Sequence, residues 1–294
     1  MRVVLLTVLT AGLLAAATRA TEWTATTWHD EPAWESRSAG WHAIVSATRA
    51  RLMHFGPDGG EVNLLLAPPT RANRNRLGGH RLWLGPQTDW PGFWPPPAAW
   101  EYQEAETVSA ANGVLRLTMR DAGAGWPRLV RTYHWAGGNL VCCAEWSGGA
   151  RPAQVIHILQ VPPATTVRAL VRPAEGYPAG YVRLLSSAGP FAARFAPPVH
   201  ASLEGEVLTL RHTDTVGKYG FRPQPLTGAR DGYELVVARG AQTGEVVDEP
   251  DEGFHSQVYL SEGGESFAEI EQLSPRFAAG QPARFEMVLT GRKP

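Results

Sequence analysis

The feature that most constrains this chain is a period of two. Leu115, Leu117 and Met119 alternate with Arg116, Thr118 and Arg120, which gives an extended strand one buried and one wet face. The segment RLVRTYHW (Arg128 to Trp135), then AGG, then NLVCCAEW (Asn139 to Trp146) reads as two long strands joined by a glycine hairpin. Shorter strands are expected near Gln154–Val161, Thr166–Val171, Gly180–Leu185, Val207–His212, Tyr233–Ala238, Ser256–Leu260, Ser266–Leu273 and Ala283–Thr290, separated by Gly, Pro and Asp. No stretch reads as a long amphipathic helix, and 31 glycines with 24 prolines supply turns for many short strands. The pattern predicts an all-β chain, a large sandwich or barrel.

The first twenty residues, MRVVLLTVLTAGLLAAATRA, set Arg2 before an apolar run and close on small residues. That is the layout of a secretory signal peptide, here cleaved near Ala20, and it predicts a secreted or periplasmic protein. The run from Val3 to Ala17 is shorter than the roughly 20 residues of a membrane span, and no later segment approaches that length, so no span is expected in the mature chain. Residues 21–294 can bury a full core and show neither a repeat nor a Ser/Gly linker, so one β domain is expected. With Lys+Arg 27 against Asp+Glu 28, the net charge of −1 offers no field to hold nucleic acid. Cys142 and Cys143 are neighbours whose side chains would leave a strand on opposite faces, so no disulfide is expected.

The chemistry concentrates in a few segments. RANRNRLGGHRLWLGPQ, Arg71 to Gln87, carries Arg71, Arg74, Arg76 and Arg81 with His80, and guanidinium forks suit carboxylates, phosphates and polyhydroxy ligands. The Pro/Trp-rich stretch that follows, up to Trp100 and including Trp94, reads either as a plug over the core or as an aromatic lip beside a polar site. QVIHILQVPP holds His157 and Gln160, and a lone histidine on an apolar strand is more often a hydrogen-bonded core residue than a catalyst. HTDTVGKYGF holds His212, Asp214 and Lys218. SFAEIEQLSP places Glu269 and Glu271 two apart, hence on one strand face. There is no HExxH, CxxC, phosphate loop or GxSxG elbow, so zinc, nucleotide and serine-hydrolase readings are set aside. The acidic run 248–252 lacks a calcium-loop pattern and reads as a solvated turn.

GGHRLWLGPQ, a Pro/Trp-rich stretch, a hairpin, HILQVPP, VGKYGF and VYLSEGGESFAEIEQLSP, in that order, resemble an uncharacterised family of exported bacterial proteins similar in fold to galactose mutarotase (aldose 1-epimerase). The resemblance implies a single large antiparallel β-supersandwich with a sugar or oligosaccharide bound in a cleft on one sheet. It implies a strand glutamate as base, Glu269 or Glu271, and most nearly His157 as acid, with no metal or organic cofactor. Arg74, Arg76 and His80 resemble the sugar-binding segments, and Arg81, Trp83, Gln87, Trp94, Gln160 and Lys218, in the stretches that carry the resemblance, are further binding candidates. The segment after His157 lacks the Asn-x-x-x-Phe-Asn-Leu type of run, and the glutamate strand lacks an aromatic-Pro-Asp-Ala continuation, so the resemblance carries fold further than activity. Three functions follow as expectations: an exported aldose 1-epimerase-like isomerase, a non-catalytic carbohydrate-binding protein, or a structural protein whose arginines pair internally.

Overall fold

The alternation along the chain is realised as three antiparallel sheets. The computed structural model describes residues 21–68, 78–90, 95–123, 125–184, 201–213, 216–261 and 267–294. In chain order the elements are β1 (Thr24–Trp28), β2 (Glu31–Ser38), β3 (Trp41–Ser46), β4 (Arg51–Pro57), β5 (His80–Gly85), the one-turn helix α1 (Ala98–Glu101), β6 (Thr107–Ala111), β7 (Val114–Thr118), β8 (Arg128–Ala136), β9 (Asn139–Ser147), β10 (Ala153–Val161) and β11 (Thr166–Leu170). They continue with β12 (Val182–Arg183), β13 (Ala201–Glu204), β14 (Val207–Arg211), β15 (Gly217–Phe221), β16 (Leu226–Arg230), β17 (Tyr233–Thr243), β18 (Val246–Asp248), β19 (Ser256–Leu260), β20 (Ala268–Phe277) and β21 (Ala283–Arg292). Strands β1 to β4 form a meander. A seven-stranded sheet runs β12-β15-β19-β20-β10-β5, with β18 also on β20, and a ten-stranded sheet runs β13-β14-β11-β16-β17-β21-β9-β8-β7-β6.

The hairpin expected at AGG is β8–β9: Ala136 faces Asn139, and Gly137 and Gly138, with φ of 55° and 81°, make the two-residue turn that wants positive φ twice. Strands β1 and β2 were not expected. Their sequences, TATTW and EPAWESRS, are mostly polar; β1 is the edge of the meander, as suits such a strand, while β2 lies inside it, paired to β1 and β3, with Pro32 near its start.

The two large sheets pack face to face. Leu82 and Leu84 of β5, Val155 and Leu159 of β10, and Ile270 of β20 meet Tyr133, Cys142, Phe285 and Met287 from the ten-stranded sheet in one buried core. Cys142 joins that core, whereas Cys143 points the other way, where Arg284 Nε donates to its Sγ at 3.1 Å. Gly78 and Gly79 bring the chain into β5 at φ of 66° and 69°. A Cβ on Gly79 would sit 2.2 Å from Leu52 O of β4, and one on Gly78 would sit 2.1 Å from Leu66 O. Glycine is therefore required at both positions, and the close approach ties the meander to the seven-stranded sheet.

Candidate functional site

Strand register divides the candidate residues between the two faces of the seven-stranded sheet. Across β5, β10 and β20 the pairs are Arg81 with Ile158, Ile158 with Glu271, and Gln160 with Glu269. Across β19 and β15, Gln257 pairs with Glu271, Tyr259 with Glu269, and Lys218 with Tyr259. Because directly paired residues share a face, Arg81, Gln160, Glu269, Glu271, Gln257, Tyr259 and Lys218 all project to the outer side, away from the inter-sheet core.

The polar contacts there are dense. Arg81 Nη1 donates to Glu269 Oε1 at 3.2 Å and Gln160 Nε2 donates to the same oxygen at 3.0 Å. Lys218 Nζ donates to Glu271 Oε2 at 3.1 Å. Arg81 Nη2 also donates to Glu101 Oε1 at 2.7 Å, while Trp83 Nε1 donates to Glu101 Oε2 at 2.8 Å and Arg51 Nη2 lies 3.2 Å from that second oxygen. Most of this array is sealed, but the Glu269 side chain keeps 9% of its surface and that of Lys218 keeps 32%. Burial, with a smaller push from Glu271, raises Glu269 to about 7 against the pull of Arg81, Gln160 and Lys218. Burial works to lower Lys218, but Glu271 and the nearby acids outweigh it and hold the ammonium above its ordinary range. Burial would likewise raise Glu101, yet Arg51 and Arg81 keep it below the usual carboxylate value.

The two histidines, expected at the site, lie on the other face of the sheet from this array. His157 pairs with Leu82 and Gln272, one position out of phase with Gln160 and Glu271, so it faces the inter-sheet core and is fully buried. His80, adjacent to Arg81, faces the same way. His80 Nε2 lies 2.8 Å from His157 Nδ1, His80 Nδ1 lies 3.2 Å from the Tyr133 hydroxyl, and His157 Nε2 lies 3.4 Å from Phe285 O. Since a carbonyl only accepts, the donors run in one direction: Tyr133 O–H to His80, His80 Nε2–H to His157, His157 Nε2–H to Phe285. Burial lowers His157 to about 3 and takes His80 well below its ordinary value, so both are neutral cross-links between sheets. An acid–base pair of His157 with either glutamate is not available in this geometry.

Trp83 flanks Arg81, whose Cζ stands 4.5 Å over its ring, and Gln87 lies past the end of β5, on the far side of Gly85 from Arg81. Arg71, Arg74, Arg76, Trp94 and Asp214 lie outside the described residues, as do residues 1–20. Glu101 was missed by sequence reasoning, because nothing in PPPAAWE marks it apart from a surface acid. Gln257 and Tyr259 could have been found by extending the period of two along QVYL. His212 stands at the same end of the face: its Nε2 lies 3.1 Å from Ser261 Oγ, and Ser261 follows Tyr259 by two, its N–H donating to Phe267 O as the ladder continues past Ala268.

No family profile and no curated protein matches the chain. Solved structures do. A galactose mutarotase-like protein from Lactobacillus casei superposes with a TM-score of 0.59 at 12% identity, covering 88% of this chain and 100% of that one. A provisionally assigned aldose 1-epimerase from Escherichia coli K12 gives 0.56 at 14% identity, over 92% of this chain and 100% of that one. A galactose mutarotase related enzyme from Lactobacillus acidophilus gives 0.57 at 9% identity, over 88% and 97%. At such identities the likeness is one of architecture, and the chain has a galactose mutarotase-like β-sandwich fold.

Proposed function

We propose that the protein binds a sugar on the outer face of the seven-stranded sheet, with Glu269 meeting its hydroxyl groups. The observation that supports this reading is the convergence of Arg81 and Gln160, from two different strands, on one oxygen of a carboxylate that still reaches the surface. A carboxyl group raised to about 7 is present in both forms near neutrality, so it can accept from one hydroxyl or donate to another. Gln160 Oε1 and Gln257 Oε1 on the same face are buried acceptors that no donor among the described residues reaches, a costly arrangement for an array serving stability alone.

A second reading, isomerisation at an anomeric carbon, is favoured by the same titration behaviour of Glu269. The carboxylate would take the proton of the anomeric hydroxyl while a second group gives one to the ring oxygen. His157 faces the other side of the sheet, and His212 is the imidazole placed at this end of the face. Calorimetric titration of an aldose panel, with anomer exchange followed by NMR saturation transfer, separates the readings. Binding that Glu269→Gln weakens at least about tenfold supports the sugar site. Exchange that Glu269→Gln abolishes and His212→Asn slows supports the isomerase. Wild-type protein that binds no sugar in the panel and exchanges none leaves the array with a structural role only.

A further inference from the structure

We propose that Glu101 is a positioning residue of this face: it anchors the Arg81 guanidinium by the shorter of two contacts, so that Glu269 receives only a shared part of that cation's charge. The inference rests on the sugar-binding reading above and adds a residue that does not itself reach the open part of the face. Glu101 ends the one-turn helix α1, is 2% exposed, and uses both oxygens: Oε1 at 2.7 Å on Arg81 and Oε2 at 2.8 Å on Trp83 Nε1. Trp83 in turn carries the Arg81 guanidinium 4.5 Å above its ring. Arg81 is thus held by an ion pair on one edge and a flat ring below, and it meets Glu269 at 3.2 Å with what remains.

The other groups around Glu269 are committed in the same sense. Gln160 of β10 donates to it, and Lys218 of β15 spends its shortest contact on Glu271. Glu271 adds a like charge from β20 itself, and Tyr259 of β19 stands directly opposite. Arg51 of β4 lies against Glu101 and not against Glu269. Removing the charge of Glu101 therefore acts in one direction: Arg81 turns its whole charge toward Glu269, and a neighbouring negative charge disappears. Both changes favour the ionised form of Glu269. A residue that served only to hold α1 against the sheet would change stability and leave that titration where it was.

The test follows the Glu269 carboxyl carbon by NMR in protein labelled with ¹³C at glutamate Cδ, the resonance being the one lost in Glu269→Gln. In the wild type its midpoint is expected at about 7. In Glu101→Gln it is expected to fall by about 1 to 3 units, the range for an opposite charge brought to bear at close contact. A folded Glu101→Gln protein with an unmoved midpoint overturns the proposal. If that variant does not fold, Glu101→Asp keeps the charge with one methylene less reach; a smaller fall is expected there, and no fall overturns the proposal equally. Sugar titration of the wild type reports separately: absence of sugar binding removes the functional reading, and the carboxyl titration still decides the role of Glu101.

Discussion

Replacing His157 with leucine tests which face of the sheet carries the chemistry. The side chain is fully buried, its Nδ1 accepts from His80 at 2.8 Å, and its Nε2 reaches Phe285 O at 3.4 Å. Leucine fills similar space, so the main loss is the acceptor, which leaves the buried His80 N–H without a partner at a cost of about 1–3 kcal/mol. The long contact to Phe285 adds little. With an m-value of about 3 kcal/mol/M in urea, the midpoint should fall by about 0.3–1 M. Adding His80→Phe should cost less than the sum of the two single changes, since it removes the orphaned donor. Sugar binding, measured on the folded protein well below the transition, should be unchanged. An unchanged urea midpoint together with lost sugar binding or lost anomer exchange would refute the placement of His157 in the inter-sheet core.

Four other outcomes are expected. Stability should decline as pH falls below about 6.5, because His80, His157, His54 and His255 are all held below their ordinary values by burial, His157 to about 3 and the last two to about 4. The unfolded chain binds those protons first, so each fully buried histidine costs up to about 1.4 kcal/mol per pH unit in that window, and a urea midpoint flat from pH 7 to 4.5 would contradict it. Glu269 acts with the opposite sign, its raised value giving stability that is present below about 4.5 and lost as pH rises through about 7, so Glu269→Gln should flatten the upper limb of the same profile. Gly79→Ala should destabilise by more than about 1 kcal/mol, since φ is 69° and the new methyl would meet Leu52 O at 2.2 Å; a neutral result in thermal melts would show that the approach of β4 to β5 is looser than described. The Arg-then-apolar opening is expected to direct export with cleavage near Ala20, and mass spectrometry of the mature chain should find its first residue near Thr21; intact Met1 on cytoplasmic protein would remove that reading.

What the sequence made legible was set by periodicity. The β8–β9 hairpin, β10, β20 and β21 follow from alternation and turn residues alone, and the two-residue spacing of Glu269 and Glu271 correctly put both on one face. The same rule held the means of separating His157 from Gln160, which are three apart on one strand and so must point to opposite sides. The parity puts His157 on the core side of β10 and Gln160 on the outer side. His80 and Arg81 divide in the same way: the arginine joins Glu269 across 188 positions and the histidine enters the core. Glu101 was illegible because its partners, Arg51 and Arg81, come from strands that only the tertiary fold brings beside α1. The strands β1 and β2 were illegible because their sequences are mostly polar and carry little apolar alternation, β1 at the edge of the meander and β2 inside it.

The most direct test of the central claim, that the outer face around Glu269 is where a sugar binds, is a crystal structure of the protein soaked with mixed aldoses. The account predicts sugar density over β20 and β15, with a ring hydroxyl within hydrogen-bonding distance of Glu269 and a second near Lys218, and with His80 and His157 still buried beneath the sheet. Sugar bound instead at a site remote from Glu269, such as the cavity lined by Arg222, Arg239 and His255, with the outer face bare, would contradict it.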